Sequence, residues 1–169
     1  LRADIIAGGY WLVAPAPAAE LALVAVGAVV PEVIAAHREI AEDLPGTGLL
    51  CVTSPDRLHA GWLAAGAARR LASDGAGASP PRAQAERLLA PLAPDAGLVS
   101  VLDGHPATLS WLGAVAGHRI QALGVERFGQ SGTIPDLYRE HRLDVDAILE
   151  AAAASCLARA RSAGAGRQR

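Results

Sequence analysis

The sequence predicts a three-layer α/β/α protein, in which a mostly parallel sheet of five strands lies between helices and has one antiparallel strand at its edge. Short apolar runs alternate along the chain with segments of helical periodicity, and this order indicates β-α-β crossovers between parallel strands. The first two apolar runs are joined only by a short Pro-rich turn. The first strand is therefore expected to run antiparallel, at the edge of the sheet.

The five strands are predicted from apolar runs that end at glycine, proline or other turn residues. Continuous apolar runs are typical of strands that are buried on both faces of a sheet. The predicted strands cover residues 10–13, 20–27, 48–53, 98–102 and 119–123.

The helices are predicted from capping residues, from prolines in their first turns and from apolar positions three or four residues apart. In the helix that opens at Pro31, the apolar stripe includes Val33 and Ile40, whereas His37 is expected to point away from it. The predicted helices cover residues 31–44, 55–72, 82–89, 106–115, 133–141 and 144–161. Gly61 and Gly66, inside the second of these, would let another element approach closely.

The length of 169 residues predicts one domain over residues 1–161, followed by a frayed tail over residues 162–169. Residues 74–81 are Gly, Ala, Ser, Asp and Pro without periodicity, and we expect a mobile loop there. The chain contains no Met, so we expect it to be a processed or excised piece of a longer protein.

Composition and charge argue against two classes of function. The 15 basic residues are all Arg and the formal net charge is −2, so a nucleic-acid-binding role is not expected. The longest apolar run, residues 21–30, is too short to span a bilayer. Cys51 and Cys156 are expected to be reduced and at least partly buried, which together with the absence of a signal-peptide pattern predicts a cytoplasmic protein.

The turn Asp103-Gly104-His105-Pro106 is the first candidate site, because it follows a buried strand directly. One hypothesis is an acid–base histidine oriented by a carboxylate. The alternative, which we favour, is ordinary turn chemistry in which Asp103 caps the following helix. The other histidines offer less, since His118 is expected at a helix end, where an imidazolium suits the helix dipole.

The second candidate is the glycine-rich loop that carries Arg127, Phe128, Gln130 and Ser131 after the last strand. This loop could hold an anion through backbone N–H groups, Ser131 and Arg127. The favoured alternative is that Phe128 fills a contact with another domain, while the glycines permit close packing. The spacing does not match a P-loop, and no pair of histidines shows a zinc-ligand spacing.

The same loop carries a resemblance to a known family. The sequence Leu-Gly-Val-Glu-Arg-Phe-Gly-Gln-Ser-Gly-Thr at residues 123–133, then Leu137-Tyr138 and Leu-Asp-Val-Asp-Ala-Ile at residues 143–148, resembles the C-terminal domain of the transketolase superfamily. That domain has a Gly-hydrophobic-x-x-Phe-Gly-x-Ser segment, a short helix and an Asp-containing entry to its last helix. The resemblance covers residues 98–160 well and extends more weakly back to residue 10. It is closest to the homodimeric decarboxylating component of pyruvate dehydrogenase and to transketolase-like proteins.

The resemblance implies a domain of an enzyme that uses thiamine diphosphate and Mg²⁺ to act on 2-oxo acids or ketoses. In that family the preceding domains hold the cofactor through a Gly-Asp-Gly…Asn segment and an activating Glu, and neither motif occurs here. This chain is therefore expected to contribute no catalytic, cofactor-binding or metal-binding residue and to be inactive by itself. Its expected partners are the remaining domains of the same enzyme, a second copy in a homodimer and, for a dehydrogenase, a multienzyme complex.

An alternative function of a different class is a free-standing regulatory module that binds a small anion at the two strand-end loops. Exposed apolar helix faces would favour the enzyme domain over that module, because a free-standing protein rarely leaves such surface uncovered.

Overall fold

The five strands form one mixed sheet in the order β1-β3-β2-β4-β5. The computed structural model describes residues 1–72 and 82–166, without the side chains of residues 163–166. β1 runs antiparallel to β3, and every other neighbouring pair is parallel. The predicted fold class is confirmed, although the edge strand pairs with β3 and not with the next strand along the chain. The strands are β1 (Gly9–Val13), β2 (Ala19–Val26), β3 (Gly48–Val52), β4 (Leu92–Leu102) and β5 (Arg119–Leu123).

Helices cover both faces of the sheet and bury a separate apolar cluster on each. The helices are α1 (Arg2–Ala7), α2 (Val30–Asp43), α3 (Pro55–Ala72), α4 (Gln84–Leu89), α5 (Ala107–Ser110), α6 (Leu112–Ala116), α7 (Ile134–Glu140) and α8 (Val145–Gly166). On one face, α2 and α8 pack on the sheet around Leu23 and Val99. On the other, α4 and the α5–α6 pair cover Leu98 and Leu50. α2, which leaves β2, and α5–α6, which leave β4, therefore lie on opposite faces.

This arrangement creates a topological switch point between the neighbouring strands β2 and β4. In open α/β sheets, a crevice forms outside the carboxyl ends of two strands whose connections diverge in this way. Val26 and Leu102, the last residues of β2 and β4, lie opposite each other in the sheet. The turn that begins at Asp103 therefore reaches this crevice.

β4 begins six residues earlier than the sequence predicts. Pro94 and Gly97 resemble turn signals, yet the structure places them inside the strand. The pairing with β2 shifts between Ala19 and Leu21, so the chain bulges around Pro94. A proline is tolerated there because a bulged residue does not have to donate a ladder hydrogen bond.

Other element boundaries differ from prediction in smaller ways. The helix predicted over residues 106–115 is divided into α5 and α6 at Trp111, and α1 was not predicted because it buries none of its residues. α8 continues to Gly166, past its predicted end at residue 161. The frayed tail over residues 162–169 stays a prediction. The loop predicted over residues 74–81 lies outside the described residues.

Two histidines are buried against expectation. His37 is 7% exposed, and its Nε2 lies 2.8 Å from the carbonyl oxygen of Thr47, in the turn that leads to β3. His118 is 6% exposed and lies just before β5. Helical periodicity predicted a solvent-facing imidazole for His37, and a position near a helix end predicted one for His118. Both predictions were wrong, because neither signal reports how the next turn folds back over the side chain. Both cysteines are free and half-buried, as predicted.

Candidate functional site

Asp103 links the ends of two neighbouring strands at the switch point. Its Oδ2 accepts a hydrogen bond of 2.9 Å from the backbone N–H of Ala28, in the single 3-10 turn Gly27–Val29 that leads from β2 into α2. Gly27 has φ +79°, and a Cβ at this position would lie 2.1 Å from Asp103 Oδ1. Asp103 thus stabilises the 3-10 turn between β2 and α2, whereas the sequence predicted a cap on the helix after its own strand.

His105 supplies the cap that was expected from Asp103. Its Nδ1 accepts a hydrogen bond of 3.2 Å from the backbone N–H of Ala107, the first residue of α5. Because Asp103 and His105 contact different backbone groups, the described contacts do not form a carboxylate–histidine pair.

The two candidate loops lie side by side at the carboxyl edge of the sheet. The N–H of Val125 donates to the carbonyl oxygen of Gly104 over 2.8 Å. A Cβ at Gly124 would lie 2.5 Å from that same oxygen and 2.8 Å from the nitrogen of Pro106. Gly124 is therefore a glycine because the two loops pack backbone against backbone.

A cleft of about 320 Å³ opens next to this contact. It contains four of the six predicted candidates, namely Asp103, Arg127, Phe128 and Gln130, whereas His105 and Ser131 do not line it. Its apolar floor includes Val125 and Leu143. The cleft therefore places one carboxylate and one guanidinium around a largely apolar cavity.

Sequence reasoning missed the wall of the cleft that α7 supplies. Tyr138 and His141 line it from the end of that helix. Their spacing of three residues predicts that they share a helix face, but the sequence does not show that α7 folds back towards β4. That return depends on the turn before α8, where Arg142 adopts φ +56° and Leu143 N–H donates to Tyr138 O over 2.7 Å.

Residues 126–136 form an uninterrupted exposed segment. The side chain of Phe128 is fully exposed and that of Ile134 is 65% exposed. Gly129 adopts φ +110°, a backbone conformation that favours glycine. Within the described part of the chain, Arg127, Gln130 and Ser131 make no hydrogen bond or ion pair. We call residues 126–136 the exposed loop.

The exposed loop ends in an ordered cap at the start of α7. Thr133 Oγ1 accepts from the backbone N–H of Asp136 at 3.4 Å and donates to its carboxylate at 2.5 Å. The hydroxyl of Thr133, aided by the guanidinium of Arg139, holds the pKa of Asp136 below its usual value. The predicted N-cap is therefore present, and it fixes where α7 begins within the exposed loop.

The outer surface of α3 is a second surface that no described element covers. α3 lies on the face of the sheet that α4 and the α5–α6 pair also cover. Only Leu58 is buried among the 18 residues of α3. Leu63 and Leu71 are 52% and 76% exposed, and a Cβ added at Gly61 would meet no atom within 4 Å. No described element makes the close approach to Gly61 that the sequence predicts.

The inner side of α3 is anchored by aromatic rings. Trp62 stacks on Trp111 with ring centroids 5.4 Å apart, and the ring of His59 lies 4.8 Å from that of Trp111. The rings join α3 to the break between α5 and α6. They hold α3 in place and leave its outer, Ala- and Leu-bearing surface open.

Two classes of site are not found in the described residues. Residues 1–72 and 82–166 contain no group of three or more His, Cys, Asp or Glu side chains that could hold a metal ion. None of the helices described in that part of the chain is both long and apolar enough to cross a bilayer.

The chain matches a known protein family over most of its length. A family model described as the transketolase-like C-terminal domain matches residues 8–144. The chain belongs to this transketolase family. The matched residues include the exposed loop, the Asp103 turn and the whole sheet. The candidate site therefore lies within the part of the chain that matches the family.

Solved transketolases share the fold of this transketolase-like domain. A transketolase from Leishmania mexicana aligns with a TM-score of 0.60 at 17% identity, over 89% of this chain and 18% of that chain. A Pichia stipitis transketolase mutant in complex with xylulose 5-phosphate gives 0.56 at 20% identity, over 90% and 18%. A split-gene transketolase described as an inactive β4 tetramer gives 0.52 at 11% identity, over 88% and 42%. No curated protein matches this chain.

The domain is short beside these structures, since it spans only 18% of the Leishmania and Pichia transketolase chains. What those proteins bind or assemble with is therefore a property of much longer chains. The identities below 25% establish a common fold for this domain and those structures.

Proposed function

We propose that this chain is the C-terminal domain of a larger thiamine-diphosphate-dependent enzyme that acts on 2-oxo acids or ketoses. In this proposal the domain contributes dimer assembly and the shape of the substrate entrance, and the other domains hold the cofactor. The observation that carries the proposal is the family match over residues 8–144, in a chain that spans 18% of solved transketolases.

The uncovered surfaces support a domain that works against neighbours. Phe128 on the exposed loop, and Leu63 and Leu71 on α3, leave apolar side chains in water. Exposed apolar patches mark protein contacts, and these side chains are the candidates for such contacts. A second domain or a second copy of the enzyme would cover them, which is the expectation that separates the enzyme domain from a free-standing module.

The described residues do not fit a cofactor site. Thiamine diphosphate needs a Mg²⁺ ion held by several oxygen ligands, and the described residues contain no group of three or more His, Cys, Asp or Glu side chains that could hold a metal ion. When bound in the whole enzyme, thiamine diphosphate would supply the stabilised carbanion.

The test is the native mass and cofactor content of the intact gene product. A native mass several times 17.2 kDa, with thiamine diphosphate released on denaturation, is the expected result. Assays of pyruvate decarboxylation and of ketol transfer on that protein would then assign the substrate class and show whether a dehydrogenase complex is relevant. A native mass near 17.2 kDa without the cofactor would overturn the proposal.

One observation favours the second candidate, a small-anion-binding module. Arg127 lines a cleft of about 320 Å³ and has no ion pair within the described residues. Asp103 lines the same cleft and would repel an anion. Binding of inorganic phosphate that is lost in Arg127→Gln, in a protein of native mass near 17.2 kDa, would establish this module in place of the enzyme domain.

A further inference from the structure

A groove lies between α2 and α8, on the face of the sheet away from α3. Its volume is about 340 Å³, and seven of its nine lining residues are apolar. Leu21 of β2 forms the base, Ile40 and Leu44 form one wall, and Leu149, Ala152 and Cys156 form the other. None of these residues belongs to the candidate site at the carboxyl edge of the sheet.

One wall of the groove is built mostly from short side chains. Leu149, Ala152, Ala153 and Cys156 follow one another at spacings of three, one and three residues, which places them in a row along α8. Seven residues of helix extend about 10 Å. The resulting trough between two helices has the shape that accepts the ridge of a third helix.

The rim of the groove is acidic. Glu39 and Asp43, both on α2, line it and are exposed. Neither carboxylate has an ion pair within the described residues. Two guanidinium groups of the chain near α8 are already paired, since Arg159 contacts Glu20 and Asp95 and Arg142 contacts Glu150. The charged residues that line the groove are therefore both negative.

We propose that this groove docks an amphipathic helix of a partner protein that carries Arg or Lys beside its apolar face. The apolar face would pack between the half-buried side chains of Leu44 and Leu149, and the cations would meet Glu39 and Asp43. A second copy of this chain fits less well, because a two-fold axis would bring two identical acidic rims together. The proposal does not depend on the enzyme assignment, since a free-standing module would carry the same groove.

The test measures binding of a model peptide to the intact protein. The probe is a labelled helix of Leu, Ala and Arg, about five turns or ~18 residues long, with leucines on one face. A peptide of the same composition in scrambled order is its control. Fluorescence anisotropy is expected to show binding of the first peptide only. Cys156 lies in the groove, so its alkylation, quantified by peptide mass spectrometry, should slow at least about fivefold at saturation.

Two double variants separate the groove from general attraction between charges. E39Q/D43N removes the rim and should weaken binding at least about tenfold. It is expected to fold, because carboxylates in the last turn of a helix do not favour the helix dipole. E32Q/D146N removes two charges from the same helices outside the groove and should change Kd less than about twofold.

Three results would overturn the proposal. Equal binding of the scrambled peptide, or equal weakening by the two double variants, would show a non-specific charge effect. Unchanged alkylation of Cys156 at peptide saturation would place the peptide elsewhere. If alkylation of Cys156 slows with rising protein concentration in the absence of peptide, a second copy occupies the groove.

Discussion

Asp103 and Ala28 are joined by a hydrogen bond across the switch point of the sheet, 75 residues apart in sequence. The carboxylate accepts the backbone N–H that would otherwise be an unpaired donor at the start of the turn into α2. The same carboxylate lies on the cleft beside the exposed loop. Asp103, which the sequence indicates as a candidate catalytic residue, therefore also has a structural role, since it joins the ends of β2 and β4 through this hydrogen bond.

Asp103→Ala should lower the free energy of unfolding by about 1 kcal/mol, since it removes a capping acceptor. Asp103→Asn should lose much less, because the amide oxygen can still accept from Ala28. Urea denaturation of the purified variants measures both values. Equal losses in Ala and Asn would show that the negative charge, and not the hydrogen bond, stabilises this junction.

Gly27→Ala should be more harmful than an equally strained substitution elsewhere. A methyl group at Gly27 would displace the Asp103 carboxylate, whereas at Gly117, also at positive φ (+76°), it would meet nothing within 4 Å. Backbone strain should cost about 1 kcal/mol or more in both variants. The loss of the Ala28 hydrogen bond should add roughly 1 kcal/mol at Gly27 alone.

A double-mutant cycle checks this explanation. In an Asp103→Ala background the carboxylate is already absent, so Gly27→Ala should cost no more than Gly117→Ala does in the unmodified protein. If the losses of unfolding free energy in Gly27→Ala and Asp103→Ala simply add in the double variant, as measured by urea denaturation, the explanation is wrong.

Phe128→Ala should leave the stability of the fold nearly unchanged and weaken assembly of the intact enzyme. The side chain is fully exposed, so its removal should change the unfolding free energy by less than about 0.5 kcal/mol. A buried aromatic at an interface contributes about 2 kcal/mol or more. Sedimentation velocity on the intact protein should therefore show more dissociated species.

Leu157→Ala is the matched control for that substitution. Leu157 is also an exposed large apolar residue, at 60%, but it lies on α8 and not on the exposed loop. It should leave the sedimentation profile unchanged. If both variants dissociate alike, or if neither does, the exposed loop is not the contact.

His118 should make the protein less stable in mildly acidic solution. Burial lowers the pKa of this imidazole below its usual value of 6.5, although the backbone of Ala96 and the carboxylate of Asp95 oppose the shift weakly. The unfolded chain therefore binds the proton more tightly than the folded one. The contribution is fully favourable above about pH 6.5 and is lost as the pH falls through the folded-state pKa.

His118→Leu should flatten this part of the pH dependence, because the variant has no group at this position to protonate. Its unfolding free energy, measured by urea denaturation between about pH 5 and 8, should fall less on acidification than that of the unmodified protein. Neither ring nitrogen of His118 makes a hydrogen bond of regular geometry within the described residues, although the backbone of Ala96 interacts with the ring, so the substitution disturbs at most that one contact. A variant with the same slope would assign the acid sensitivity to another group.

The sequence by itself determined the alternation of strands and helices, the layer architecture and the family. Those features depend on local signals, such as the run Leu21–Ala25 or the Thr133 cap, whose physical cause lies within a few neighbouring residues. The antiparallel edge strand was also predictable, because Pro15 and Pro17 leave no crossover helix before β2.

Only the tertiary structure decided which distant groups meet. In the folded protein β1 pairs with β3, and the carboxylate of Asp103 accepts a hydrogen bond from Ala28 N–H. His118 is buried, and Tyr138 and His141 line the cleft. The tertiary structure also showed that α3 and the exposed loop remain uncovered while the groove beside α8 stays open. Such contacts depend on how separate elements pack, and a packing contact between residues tens of positions apart leaves no periodic signal in the chain.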